Sequence, residues 1–166
     1  MIKIGSAITD RIICMLRANG GISHVLRLLA EGQDPESQQY MSDVQMSTAN
    51  ISIELLDRNT GSKYPQINVY CEKIVNSQRE RFRTFSGTAQ AVIEVRVSHD
   101  RLEQLDQQLN THVESIIHVM QQSRGSWGNG LHYGGTFEVI FSPIKPGGRH
   151  FIRAARVQLP IEVSID

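Results

Sequence analysis

The sequence has no excess of charge of either sign. Its 166 residues include 17 Lys and Arg against 17 Asp and Glu, so the formal net charge is zero at pH 7. Because bulk attraction to nucleic acid or to a membrane surface needs a net positive charge, this balance excludes the simplest form of both. Any such contact must come from a local patch. A neutral chain also lacks long-range self-repulsion, which is compatible with association between copies.

Cysteine and long apolar runs are also scarce. Cys14 and Cys71 are the two cysteines, and no zinc-binding spacing of Cys and His occurs, so neither a structural zinc site nor any other cofactor is predicted. We expect two free buried thiols, since the chain shows no secretory signal. No apolar run approaches the roughly 18–20 residues of a membrane span, and Asp10 and Arg11 interrupt the first segment where a signal peptide would be apolar. We therefore expect synthesis in a cytoplasm and no membrane partner.

What is present fits one folded domain. Hydrophobic residues make up 40% of the chain and charged residues 20%, well away from the composition of disordered chains. We predict a single domain over 1–166, with a helical segment over 1–30, a polar loop over 31–50 and an α+β core over 51–163.

Two parts of the chain have the apolar spacing of three and four residues that predicts amphipathic helices. The first runs from about Ile4 to Leu29, and the tandem glycines Gly20 and Gly21 predict a break that divides it in two. The second runs from about Asp100 to Gln122. Asp100 is its predicted N-cap, because an aspartate side chain accepts hydrogen bonds from the first backbone N–H groups of a helix.

Apolar and polar residues alternate, with the period of a half-buried strand, in five further segments. They are Ile51–Leu55, QINVYCEKIV from Gln66, AVIEVRV from Ala91, Phe137–Phe141 and Val157–Val163. Strict alternation in the second segment puts Lys73 on the face of Ile67, and Ile74 on the opposite face. Pro160 cannot donate a ladder hydrogen bond, so the last strand is predicted at a sheet edge or with a bulge there. The order of elements predicts an α+β fold, an antiparallel or mixed β-sheet with amphipathic helices packed on one face.

The six histidines are the first place to look for catalysis, and none falls in a recognised pair. His112 and His118 lie six residues apart on one predicted helix, which places them on different faces at about 100° per residue. His112 is predicted to be a helix-surface histidine. Since no acid, base or nucleophile stands at a supporting spacing, we predict that the chain is not an enzyme, and no catalytic residue is named.

Five glycines lie between Gly125 and Gly135 and could suggest a phosphate-binding loop. Such loops follow a strand and open a helix, whereas this cluster follows a helix and precedes a strand. The lysine of a Walker loop is also missing. We interpret the cluster as a turned loop in which Trp127 and Tyr133 are candidate surface anchors.

Thirteen of the 17 basic residues are arginine, and two arginine-rich stretches are candidate contact surfaces. Arginine beside aromatic residues suits phosphate and base stacking, and it suits protein interfaces as well. A subunit or partner interface is favoured, and a small nucleic-acid-binding module that uses Arg79, Arg81 and Arg83 stays open as the alternative. The candidate interface residues are Arg79, Arg81, Phe82, Arg83, Phe85, Trp127, Tyr133, Arg149 and Arg153.

The order of these motifs resembles that of the tail terminator, or tail-completion, proteins of long-tailed bacteriophages. The similarity extends from Ile51 to Val163 and follows an N-terminal helical segment. It rests on Tyr64–Pro65 before the strand QINVY, the Phe85-x-Gly87 approach to AVIEVRV, the long amphipathic helix, and the strand pair FEVIFSP and VQLPIEV. The near alternative in the same group is another neck or head-tail adaptor protein.

The resemblance implies a structural virion protein of the tail or neck. Proteins similar to this assemble as a ring, usually a hexamer, that caps the head-proximal end of the tail tube, stops tube polymerisation and joins the tail to the head connector. The implied partners are further copies of the chain, the tail tube protein and the connector, with DNA close by in the lumen. A head-to-tail ring needs two different complementary patches on each subunit. The polar segments 31–50 and 77–87 are the candidates for these contacts.

Overall fold

The computed structural model describes residues 3–31, 44–47, 64–77 and 81–166. The predicted strand Ile51–Leu55 and the candidate interface residue Arg79 lie outside these residues. The described elements are, in chain order, α1 (Ile4–Arg17), α2 (Ile22–Ala30), β1 (Gln45–Ser47), β2 (Gln66–Val75), β3 (Phe85–His99), α3 (Leu102–Gln122), β4 (Gly125–Gly128), β5 (Leu131–Tyr133), β6 (Glu138–Phe141), β7 (Lys145–Gly147) and β8 (His150–Ile165).

The first helical segment is divided in two, as predicted. Between α1 and α2 the backbone N–H of Gly21 donates to the carbonyl of Ala18 at 2.7 Å. A Cβ at residue 21 would overlap the carbonyl oxygen of Leu16, so the close turn requires glycine. The break lets α1 pack on β2 and β3 while α2 packs on α3.

The stretch Ile4–Ala30, which contains both helices, is long and apolar enough to be a candidate membrane span by length and composition. This corrects the expectation that no segment approaches one. Most of its large apolar side chains belong to the core that the helices share with the sheet, whereas Leu28 and Leu29 are exposed. The buried members are Ile8, Ile12, Leu16, Ile22, Val25 and Leu26.

α3 begins two residues later than predicted, and Asp100 is not its N-cap. Arg101 occupies the N-cap position with extended backbone, and its side chain makes no capping hydrogen bond. The backbone N–H of Arg101 donates to Nδ1 of the buried His99 ring at 2.9 Å, which anchors the chain just before the helix. The rest of α3 follows the predicted apolar stripe, with Leu105 and Leu109 among its fully buried residues.

The eight described strands form one sheet in the order β1-β2-β3-β8-β5-β4, and β6 and β7 also pair with β8. β1 runs parallel to β2, and the other pairings among the described strands are antiparallel. All core residues that β3 and β8 share with the helices have odd numbers, so the helices cover one face of the sheet. The predicted α+β fold with a mixed sheet is confirmed.

Several strand details differ from the prediction: β3 and β8 are longer than predicted, and no pattern predicted β4, β5 and β7. β1 lies within the segment predicted as a polar loop, and its three residues are too few to show a period. In β2 the register shifts between Cys71 and Lys73, so that Ile74 pairs with Ala89 and Lys73 with Gln90. A bulge adds one residue to a strand and reverses the alternation beyond it. Ile74 therefore lies on the helix face, and Lys73 on the opposite one.

β8 lies inside the sheet, so the prediction of an edge or a bulge at Pro160 is wrong. The strand pairs with β3 over its whole length except at its first residue, His150. On its other side, residues 161–163 pair with β5 and residues 155–158 with β6, which leaves a gap at Pro160. Even-numbered residues such as Ser164 and Ala154 point their N–H groups to that side. Proline is tolerated because the N–H it lacks would face this gap.

The prediction that His112 lies on the helix surface is also wrong. Its ring is fully buried, with Nδ1 2.7 Å from the carbonyl oxygen of Gln108. Burial lowers the pKa of His112, because a low-dielectric surrounding disfavours the charged ring. The ring is therefore held neutral inside the helix layer.

Replacing Gly87 with alanine should destabilise the fold. The added Cβ would overlap the carbonyl oxygen of Val75, so β2 and β3 would have to separate. We expect the free energy of unfolding to fall by about 1–3 kcal/mol in urea denaturation. Gly134→Ala is the matched control, because nothing lies within 4 Å of a Cβ built there. Equal stabilities of the two variants would contradict the close approach of the strands.

Stability should fall as the pH drops from about 7.5 to 5, in part through His112. Its pKa is lowered in the folded state, so the unfolded state binds more protons below the ordinary histidine pKa of about 6.5. The neutral ring thus contributes stability above that pH, and acidification removes it. His112→Gln, which cannot titrate, should show a smaller difference in melting temperature between the two pH values. An unchanged difference would show that His112 does not contribute.

Candidate interaction surfaces

The two-stranded ribbon of β3 and β8 determines where the candidate residues lie. β3 is 15 residues long and pairs with β8 from Phe85↔Ile165 to His99↔Phe151. At about 3.3 Å per residue the two ends of the ribbon are roughly 45 Å apart. The sequence candidates divide between these ends and the core.

The first end, here called the Phe82 end, consists of Arg81, Phe82 and Arg83. The Phe82 side chain is 91% exposed, the highest value among the exposed large hydrophobic residues described. Arg81 is exposed, and Nε of Arg83 lies 3.8 Å from Oδ1 of Asp166. Phe85 is the first residue of β3. Its side chain is only partly exposed and packs against the core, so it supports the Phe82 end from within.

The opposite end, here called the Phe151 end, has several exposed apolar residues and, beside them, a cavity open to solvent. Four large hydrophobic residues remain 36–47% exposed there, namely Leu102, Phe141, Ile144 and Phe151. A cavity of about 500 Å³ lies among Asp100, Arg101, Leu102, Glu103, Gln104 and Phe151. Arg149 is exposed at the tip of the β7–β8 hairpin. Exposed apolar patches of this kind mark interaction sites more often than single exposed residues do.

Arg153, also at the Phe151 end, makes three contacts with residues of its own chain. It donates to Oδ1 of Asp106 at 2.7 Å and to the carbonyl of Ser142 at 2.9 Å. Its guanidinium lies 5.5 Å from the centroid of the Phe141 ring, within the range of a cation–π contact. Arg153 therefore joins α3 to the β6–β8 region and holds Phe141 in place at this end.

Trp127 and Tyr133 are not surface anchors, and that interpretation is wrong. The β4–β5 hairpin turns at Asn129 and Gly130, both with positive φ, and folds the two rings into the core. The ring centroids are 5.7 Å apart, and Nε1 of Trp127 donates to the carbonyl of Ser123 at 2.7 Å. Large rings with one polar atom are equally suited to a core and to an interface, so composition alone could not separate the two roles.

The face of the sheet away from the helices carries a buried polar row. The register aligns Asn68 with Glu94 and Glu94 with Arg156 across β2, β3 and β8. Arg96 donates to Glu94 at 3.0 Å, and Arg156 bonds Glu72. Glu94 and Arg96 are both buried, although their alternation with valines is typical of a solvent-facing side. Arg96 and Arg156 thus serve ion pairs within the chain.

Leu102, Phe141 and Phe151 belong to the Phe151 end but were not among the sequence candidates. Leu102 and Phe141 continue apolar patterns that predict burial, and Phe151 stands in a basic stretch. Their exposure depends on where α3 begins and where the β-hairpins end, which the pattern does not reveal.

Among the described residues, no group of three His, Cys, Asp or Glu lies close enough together to hold a metal ion. Both cysteines have free thiols, as predicted, but neither is buried as predicted: Cys14 is exposed and Cys71 half-buried. Partial burial raises the pKa of the Cys71 thiol. No known family model and no curated protein sequence matches this chain. The exposed residues at the two ends of the ribbon are the candidate interaction surfaces.

The contact of Arg153 with Asp106 should be measurable as a coupling free energy. Asp106→Arg should destabilise the fold by placing two cations together, and Asp106→Arg with Arg153→Asp should recover part of the loss. Because both side chains are partly exposed, we expect a coupling of about 0.3–1 kcal/mol in a double-mutant cycle of urea unfolding. A coupling of zero would mean that the pair does not join α3 to the sheet.

Proposed function

We propose that this chain is a tail terminator or a closely related neck protein of a long-tailed bacteriophage and that it acts by assembling into a ring. The observation that carries the proposal is the pair of dissimilar exposed surfaces at opposite ends of the β3–β8 ribbon. One end presents the exposed ring of Phe82, and the other presents a cavity open to solvent beside the exposed apolar residues Leu102 and Phe151.

Two dissimilar surfaces suit a head-to-tail contact. A twofold dimer uses one self-complementary patch, whereas a cyclic ring joins one patch of each subunit to a different patch of the next. A separation of roughly 45 Å along the ribbon would let each subunit bridge its two neighbours. A sixfold ring is the symmetry that the resemblance implies, and its lower face would bind the tail tube.

The positions of the resembling motifs support the same proposal. Tyr64–Pro65 directly precedes β2, and Phe85-x-Gly87 begins β3. The long helix is α3, and the final strand pair is β6 with β8, joined in register. The motifs that carry the resemblance therefore lie on helices and strands that pack together in the structure.

The proposed role is structural and needs neither a catalytic residue nor a cofactor. The ring would stop polymerisation of the tube by offering tube-like contacts on one face and different contacts, for the head connector, on the other. It would belong to the virion, in the neck of the tail. Zero net charge suits a ring through which DNA passes, because phosphate binding strengthens with the number of cations that contact the backbone.

The nucleic-acid-binding alternative has less support. Arg83, Arg96, Arg153 and Arg156 each lie in an ion pair with a carboxylate of the chain. A phosphate would have to compete with these carboxylates. Arg81, Phe82 and Arg83 are the exposed part of the predicted basic motif that the structure describes, and three such residues form a small footprint.

The mass of the chain in solution, measured by light scattering with and without the tail tube protein of the same phage, tests the proposal. We expect a closed oligomer of defined mass, either alone or on the end of short tubes, and shorter tubes when the chain is added during polymerisation. Binding to the connector but not to the tube would favour a head-side adaptor. A strict monomer under both conditions would contradict ring assembly.

A further inference from the structure

Phe82 is the most protruding apolar group on the described surface. Its side chain is 91% exposed and stands between Arg81 and Arg83. Aromatic and arginine side chains are enriched where protein interfaces concentrate their binding energy, and a central aromatic ring usually fills a pocket on the partner. The Phe82 end therefore has the composition of an interface anchor.

The cavity at the Phe151 end has the complementary character. Its volume of about 500 Å³ is within the range of pockets that bury small ligands, so a phenyl ring can enter it. Leu102 and Phe151 are its apolar lining residues, and Asp100, Arg101, Glu103 and Gln104 are its polar ones. Glu103 is exposed, so its carboxylate can pair with a cation of another subunit such as the exposed Arg81.

The ribbon prevents a chain from filling its own cavity. Phe82 precedes β3 at the Phe85 end, whereas Phe151 pairs with His99 at the other end. Paired strands roughly 45 Å long cannot bring these ends together. If a Phe82 end fills this cavity, that Phe82 end must therefore belong to a second copy of the chain.

We propose that Phe82 of one subunit inserts into the cavity beside Leu102 and Phe151 of the next, with Arg81 facing Glu103 across the contact. This inference rests on the proposed ring, to which it gives a specific subunit contact. The contact is directional, since the inserting residue and the receiving cavity are different surfaces. It therefore repeats around a ring and leaves no unpaired end when the ring closes.

The first experiment compares Phe82→Ala with Phe137→Ala in sedimentation equilibrium of the full chain. Phe137 is also an exposed phenylalanine but lies outside both ends, so it is the matched control. We expect Phe82→Ala to raise the dissociation constant of the oligomer at least tenfold and Phe137→Ala to change it less than twofold. Because Phe82 is 91% exposed, Phe82→Ala should keep the wild-type melting temperature.

The second experiment tests the charged part of the contact. Arg81→Glu and Glu103→Arg should each weaken association, and the double variant should restore it, because the pair is regained with its signs exchanged. Rescue in the double variant distinguishes a contact between subunits from damage to the first turn of α3 by Glu103→Arg alone.

The outcomes separate this inference from the proposed function. A wild-type oligomer that Phe82→Ala leaves intact, or the absence of rescue in the double variant, would overturn the Phe82 contact while the ring proposal stands. A wild-type chain that stays monomeric with and without tube protein would overturn the ring itself. Loss of salt-dependent binding to a DNA duplex on Phe82→Ala, with assembly unchanged, would assign Phe82 to nucleic acid and overturn the contact.

Discussion

The antiparallel pairing of β3 with β8 is the interaction on which the rest of the structure depends. It extends over 15 residue pairs in the middle of the sheet, and every other described strand except β1 and β4 pairs directly with one of these two. Odd-numbered residues of both strands form the floor on which α1 and α3 pack. The same pairing separates the Phe82 end from the Phe151 end, so the ribbon that organises the core also keeps the two exposed surfaces apart.

The two faces of the ribbon contribute differently to the fold. The helix face is apolar, and its burial supplies the main favourable free energy of folding. The opposite face buries the Glu94–Arg96 ion pair and the side chain of Asn68, which is 1% exposed. Buried ion pairs gain little net stability because desolvation offsets their attraction. These groups make a slipped register costly, since a shift by one residue would move Glu94 and Arg96 into the apolar core.

Most of the elements could be predicted from local patterns, whereas the candidate surfaces could be predicted only in part. The sequence predicts a contact surface at the Phe82 end because arginine and phenylalanine alternate there within a few residues, which is an unusual composition. Trp127, Tyr133 and His112 were misplaced because each side chain suits both a core and a surface, and neighbours distant in sequence decide between them. The bulge in β2 escaped prediction because one inserted residue reverses the alternation without any proline or glycine to mark it.

The sequence by itself determined the two-helix start, the long amphipathic α3, most of the strand periods and the absence of net charge. These properties follow from spacing along the chain, which local backbone geometry converts directly into helices and strands. Only the tertiary structure decided which aromatic rings are exposed, which arginines are paired and where the cavity lies. Those properties depend on residues that pairing and packing bring together from distant positions, as β8 brings Arg153 to Asp106 and Phe151 to the start of α3.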